Sequence, residues 1–125
     1  KGGGLIHVVA QGDIGIYGTL SANGAGYGYQ YTGGGAGGGI YLTCMRFKGA
    51  GGTLQANGGN GGSVNGAGGG GGRIAVWRAR DMYVGTCATN VAGGSGTGGA
   101  SNYFGQVGTV VFGWNSPLGT MVSFR

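Results

Sequence analysis

The sequence predicts an all-β chain and, within that class, a short parallel β-helix (β-solenoid) of three to four 34-residue coils with stacked glycine-rich loops. Three observations carry the prediction. Segments recur at a fixed spacing, the recurring segments alternate apolar and polar residues, and long glycine stretches separate them. Self-similarity at a period of a few tens of residues is the signature of architectures in which one unit buries its apolar face only against its neighbours.

The first copy runs Gly4–Val9 (GLIHVV) and then Thr19–Gly24 (TLSANG). The second runs GGIYLT from Gly38 and TLQANG from Thr53, and the third GRIAVW from Gly72 and TCATN from Thr86. Ile6, Ile40 and Ile74 are 34 residues apart, and Thr19, Thr53, Thr86 and Thr120 are spaced by 34, 33 and 34. A truncated fourth copy runs Thr109–Trp114 and Thr120–Phe124. The repeats of this single domain thus fall at about 1–35, 36–69, 70–105 and, in part, 106–125.

Within each copy the alternation has period two, the mark of strands rather than helices. Ile6 and Val8 are placed inward with His7 and Val9 outward, a pattern repeated by Ile40/Leu42 and Ile74/Val76. Leu20 and Ala22 are placed inward in the Thr-containing strand. A third short run lies between, at 14–17, 46–48 and 81–84. Stacking the copies about 4.8 Å apart gives the expected ladders Ile6–Ile40–Ile74–Val110 and Leu20–Leu54–Cys87–Met121. A β-sandwich of seven or more strands joined by glycine loops is the alternative; the fixed period favours the solenoid.

Glycine supplies 38 of the 125 residues. Collagen would need glycine at every third position and abundant proline, whereas the glycines run together at 68–72 and the chain has one proline, Pro117. Forty per cent hydrophobic residues and a net charge of +5 argue against simple disorder. No Gly-Lys-Ser/Thr follows the runs, so they are not phosphate loops. The excursions 24–39 and 58–72 are equivalent and are expected to stack, glycine permitting close backbone approach.

The run GGGGGRIAVW (68–77), the repeated Thr-Leu-x-Ala-Asn-Gly and the closing GQVGTVV (105–111) resemble the glycine-rich repeats of large secreted or surface β-helix proteins of bacteria. The resemblance spans roughly residues 2–112. It implies an extracellular, non-enzymatic solenoid, often a segment of a larger chain.

Function is constrained mainly by what the chain lacks. Its acids are Asp13 and Asp81 and its one histidine is His7, too few for most hydrolytic or metal sites. No enzymatic activity and no cofactor are expected. Asp13 and Asp81 lie two periods apart, so they are expected about 9–10 Å apart, near the upper carboxylate separation of inverting glycosidases. A solvated charge ladder with Phe47 and Lys48 in the intervening coil explains them more simply. The Thr column lacks a second Thr column beside it, so an ice-binding array is excluded. No Asn-x-Ser/Thr acceptor is present. With no initiator Met and no signal-peptide pattern, the chain reads as mature or a fragment.

The candidate assembly face is Val9, Tyr41, Trp77 and Val111, all placed outward with Thr43 among them, because an exposed apolar stripe of that size marks an interface. Uncapped first and last coils would expose rows of backbone donors and acceptors. The expected partners are therefore copies of the chain itself, joined head to tail into an extracellular filament or surface layer. The alternative is a cell-surface adhesion module holding anionic polysaccharide through Arg46, Lys48, Arg73, Arg78 and Arg80, with Tyr27, Tyr29, Tyr31 and Tyr103 as further glycan contacts. A degenerate polysaccharide lyase or hydrolase ranks last. Neither a nucleic-acid partner nor a membrane span is expected, since the basic residues are scattered and no apolar run is long enough. Cys44 and Cys87 read as small core residues one coil apart, or as a disulfide across a narrow core.

Overall fold

Short runs of alternating residues become strands where their apolar members find a counterpart on which to stack. In the computed structural model, which describes residues 1–80, 85–97 and 103–115, nine strands form among the described residues. They are β1 (Leu5–Val9), β2 (Asp13–Gly15), β3 (Thr19–Ser21), β4 (Gly39–Cys44), β5 (Arg46–Lys48), β6 (Thr53–Gln55), β7 (Arg73–Arg78), β8 (Ala88–Asn90) and β9 (Thr109–Trp114). They sort into three sheets ordered β1-β4-β7-β9, β2-β5 and β3-β6-β8. Every pairing is parallel and joins a strand to its counterpart one repeat away. The chain is all-β, and no α-helix forms among the described residues.

The four-stranded sheet realises the expected first ladder. Ile6, Ile40, Ile74 and Val110 are in register, as are Val8, Leu42, Val76 and Phe112 two residues on. Ile40, Leu42, Ile74 and Val76 are sealed from solvent, joined in the core by Phe47 of β5, Leu54 of β6 and Ala56. The Phe47 ring meets that of Phe112 edge-on with centroids 5.9 Å apart. Burying each large apolar side chain contributes about 1.5–3 kcal/mol, so the middle repeats carry most of the stability. At the ends the same ladders open, with Val8 40% and Phe112 37% exposed.

Two registers depart from a strict 34-residue repeat. Asp13 pairs with Arg46, not with Phe47, an offset of 33. The residue omitted before β5 is restored in the tight turn after it, where Ala50 and Gly51 take positive φ and the Gly52 amide donates to the Gly49 carbonyl. Thr19 and Thr53 are back in register in β3 and β6. In the third copy Thr53 pairs with Ala88 and Leu54 with Thr89, an offset of 35. The expected Leu20–Leu54–Cys87 ladder and the Thr86 member of the Thr column are therefore corrected. Thr86 instead lies over the preceding turn, where its carbonyl accepts from the Gly51 amide. The inward column then continues as Ala22, Ala56 and Val91, all buried, the Ala22 amide donating to the Gln55 carbonyl and the Ala56 amide to the Asn90 carbonyl. Asp81, Thr120, Met121 and the run 81–84 lie outside the described residues.

The glycine excursions are as ordered by hydrogen bonds as the sheets. Each leaves on an outgoing limb and comes back on a return limb, and one relay of backbone bonds alternates between the two. The Ala25 amide donates to the Lys1 carbonyl, Gly35 to Ala25, Gly59 to Gly35, Gly69 to Gly59, Gly94 to Gly69 and Gly105 to Gly94, all at 2.8–2.9 Å. A β-carbon on Gly59 or Gly69 would fall well inside contact distance of the Ala25 or Gly35 carbonyl of the same limb one repeat earlier. The hydrogen that glycine carries there points at that oxygen, the arrangement of a Cα–H···O contact. Only glycine fits, and that accounts for much of the composition.

Candidate functional site

The outward positions of the four-stranded sheet form two columns. One is His7, Tyr41, Ala75 and Val111; the other is Val9, Thr43, Trp77 and Gly113. The four assembly-face candidates thus share the face but divide between adjacent columns. Val9 is 66% and Trp77 37% exposed, while Tyr41 and Val111 are half-buried. His7 meets Tyr41 edge-on at 6.4 Å, and Ala75 between Tyr41 and Val111 is covered. Large rings lie over glycines here, Trp77 over Gly113 and Tyr41 over Gly39.

The edges of that sheet are a second feature. β1 pairs only with β4 and β9 only with β7 among the described residues. β1 leaves Leu5, Val8 and Val9 exposed, and β9 leaves Val110, Phe112 and Trp114 exposed. Of these, Val8, Val110 and Phe112 are terminal members of the two columns whose inner residues, Ile40, Leu42, Ile74 and Val76, are sealed. The third inward column, Cys44, Arg78 and Trp114, ends with the Arg78 guanidinium 4.7 Å above the Trp114 ring. The Arg78 Nε is buried without a hydrogen-bond partner among the described residues.

The charged candidates do not assemble into one site. Asp13 accepts from Arg46 Nε at 2.9 Å and from Lys48 Nζ at 3.0 Å, an intercopy ion pair created by the 33-residue register. The hydrogen bonds from Lys48 and Arg46 hold the Asp13 carboxyl below the usual carboxylate range. Arg46 and Lys48 therefore serve Asp13, and Arg78 serves Trp114. Arg73 and Arg80 are exposed. Tyr29 and Tyr31 are 78% and 70% exposed and Tyr27 less so, on the first excursion, while Tyr103 stands half-buried on the third. No hydrogen bond or cation–ring contact among the described residues joins these tyrosines to Arg78 or Arg80.

Cys44 and Cys87 are free thiols, Cys44 buried and Cys87 half-buried. The disulfide alternative is therefore corrected: Cys44 ends β4 facing the core, whereas the longer offset of the third copy leaves Cys87 ahead of β8. Burial pushes both thiols above their ordinary value. Among the described residues no group of three or more His, Cys, Asp or Glu side chains could hold a metal ion. A shallow hollow of about 170 Å³ lined by residues 15–20 contains no carboxylate, histidine or thiol. No helix among the described residues is long and apolar enough to cross a membrane.

Sequence reasoning singled out the Asn of Thr-Leu-x-Ala-Asn-Gly only as part of a repeat; the structure gives it work. Asn23 Oδ1 accepts from the Asn57 amide at 2.7 Å and Asn57 Oδ1 from the Ala92 amide at 2.9 Å. Asn60 Oδ1 accepts from the Ser95 amide at 2.8 Å. Each amide side chain thus ties one repeat to the next where strand gives way to excursion. Recurrence of Asn at 34-residue spacing, from Asn23 to Asn57, was the available signal for the first two; Asn60 has glycine at the equivalent positions 26 and 94. No family, no curated protein and no solved structure matches this chain.

Proposed function

We propose that the chain is a parallel β-solenoid and an extracellular, non-enzymatic structural protein, built to polymerise head to tail into a filament or surface layer. The observation that carries this reading is the pair of matched sheet edges. Val8 at one edge and Phe112 at the other end the same column, whose inner members Leu42 and Val76 are sealed. Laying β9 of one copy against β1 of the next would continue both apolar ladders and pair two rows of backbone groups at once. A contact of this kind that does not close by rotation produces an open fibre. The apolar face bearing Tyr41 and Trp77 supports lateral packing of such fibres. The likeness of the repeats to glycine-rich bacterial surface solenoids supports the extracellular assignment, and the tying of Asp13 to Arg46 and Lys48 supports a structural role for that carboxylate.

Electron microscopy and light scattering over a concentration series test the reading. Fibres that lengthen with concentration are expected. A folded protein that stays monomeric at every concentration would overturn polymerisation. Salt-sensitive retention on an anionic glycan, weakened by Arg73→Ala with Arg80→Ala, would transfer the function to adhesion.

A further inference from the structure

The sequence holds four Asn-Gly pairs, at 23–24, 57–58, 60–61 and 65–66. Asn-Gly is the dipeptide most prone to spontaneous cyclisation, because no β-carbon shields the following amide. That amide nitrogen, losing its proton, attacks the Asn Cγ; a C–N bond forms, the side-chain nitrogen leaves as ammonia, and a succinimide results. Water then opens the ring at either carbonyl, giving Asp or isoaspartate, so no oxidant or cofactor is required. The reaction needs a side-chain amide free to turn and a backbone nitrogen free to attack, and the fold restrains the four pairs very unequally.

In three pairs both partners are held. Asn23, Asn57 and Asn60 each have Oδ1 engaged by a backbone amide of the next repeat at 2.7–2.9 Å. Their following glycines donate to backbone carbonyls at 2.7–2.8 Å, Gly24 to Asn57, Gly58 to Ala92 and Gly61 to Ser95. Asn65 differs on both counts. It is exposed on a turn at the tip of the second excursion, with φ of 47°, and no hydrogen bond among the described residues holds its side chain. The Gly66 amide makes the longest bond of the set, 3.2 Å to the Thr97 hydroxyl. From this we infer that Asn65–Gly66 is a built-in deamidation site, the one Asn-Gly pair that the native fold leaves reactive.

Conversion there would put a carboxylate on residue 65, with an extra backbone methylene as well in the isoaspartyl product, directly before the Gly66 amide that meets the Thr97 hydroxyl, which also donates to the Gly62 carbonyl. The second and third excursions would lose the bond from the Gly66 amide to the Thr97 hydroxyl, one of several ties at the tip, while the sheets stayed intact. The site therefore acts as an ageing mark confined to one edge of the glycine layer.

Incubating the folded chain at mildly alkaline pH and mapping peptides by mass spectrometry tests the inference, with isoaspartyl methyltransferase labelling as a second readout. Asn65 should convert about five- to tenfold faster than Asn23, Asn57 or Asn60, the worth of one net hydrogen bond expressed as a rate. In denaturant the four pairs should react at comparable rates. Thr97→Ala should speed conversion at Asn65 alone, and Asn65→Gln should remove the native signal. Native conversion of Asn60 at the rate of Asn65, or a silent Asn65 in a folded chain whose denatured form reacts, would overturn the assignment.

Discussion

At the scale of single residues, glycine is the residue whose replacement separates packing from composition. A β-carbon at Gly59 would collide with the Ala25 carbonyl, whereas one at Gly18 would meet nothing within 4 Å. Gly59→Ala should therefore cost about 1–3 kcal/mol or more through overpacking against backbone that cannot yield. Gly18→Ala should change stability by less than about 1 kcal/mol, in the stabilising direction; urea denaturation of the two variants checks both. Asp13 gives a pH test. Its folded-state pKa is depressed by Lys48 and Arg46, so its contribution is present above the ordinary value of 3.8 and is lost as pH falls through the folded value. Acid unfolding profiles of the parent and Asp13→Asn should converge below the carboxylate range and separate above it. The thiols run the other way, since their raised values favour the protonated form and withdraw stability as pH climbs past 9.0. Both cysteines should titrate as free thiols in denaturant without reductant and react sluggishly in the folded state.

At the scale of elements, the parallel ladders hold the repeats together in two different ways. Within the sheets, a column such as Ile40–Ile74 or Leu42–Val76 excludes water on both sides. Phe47 lies between sheets, so its loss opens the core to the neighbouring strands. Phe47→Ala should cost about 3–5 kcal/mol, a large part of the 5–15 kcal/mol typical of a domain, and thermal unfolding reads it directly. Where strands end, the Asn steps take over. Asn23→Ala would leave the Asn57 amide without its acceptor, and leaving a donor unsatisfied costs about 1–3 kcal/mol. Part of that cost is relieved by water because Asn23 is exposed, so the loss is expected at the low end of this range. Hydrogen exchange should show the effect concentrated at Asn57 and its neighbours.

At the scale of the whole molecule, the proposed polymer makes a prediction about its two ends. Val8 and Val110 are the partly exposed members of the columns at opposite edges of the sheet. Val8→Lys should block one end and Val110→Lys the other, because a charge buried in an apolar ladder without a partner is strongly disfavoured. Each variant alone should stay monomeric. An equal mixture should give dimers and no fibres, since each chain then retains the end that the other lacks. Sedimentation velocity distinguishes these outcomes, and fibres in the mixture would show that assembly proceeds through the lateral face instead.

The sequence by itself determined where the strands of the first sheet lie and which of their side chains face inward. Period-two alternation and a 34-residue recurrence leave little freedom when Ile6, Ile40 and Ile74 must share one column. It also marked Val9, Tyr41, Trp77 and Val111 as outward, without saying that they occupy two columns. Only the tertiary structure decided the local slips to 33 and 35 residues, because a turn absorbs or releases one residue with no change in hydrophobic pattern. Those slips brought Arg46 to Asp13 and carried Cys87 out of the Leu54 column. The structure alone also decided what the glycines do: a residue without a side chain gives no sign in the sequence of which neighbour it will touch, and here that neighbour is the backbone of the same limb one repeat earlier.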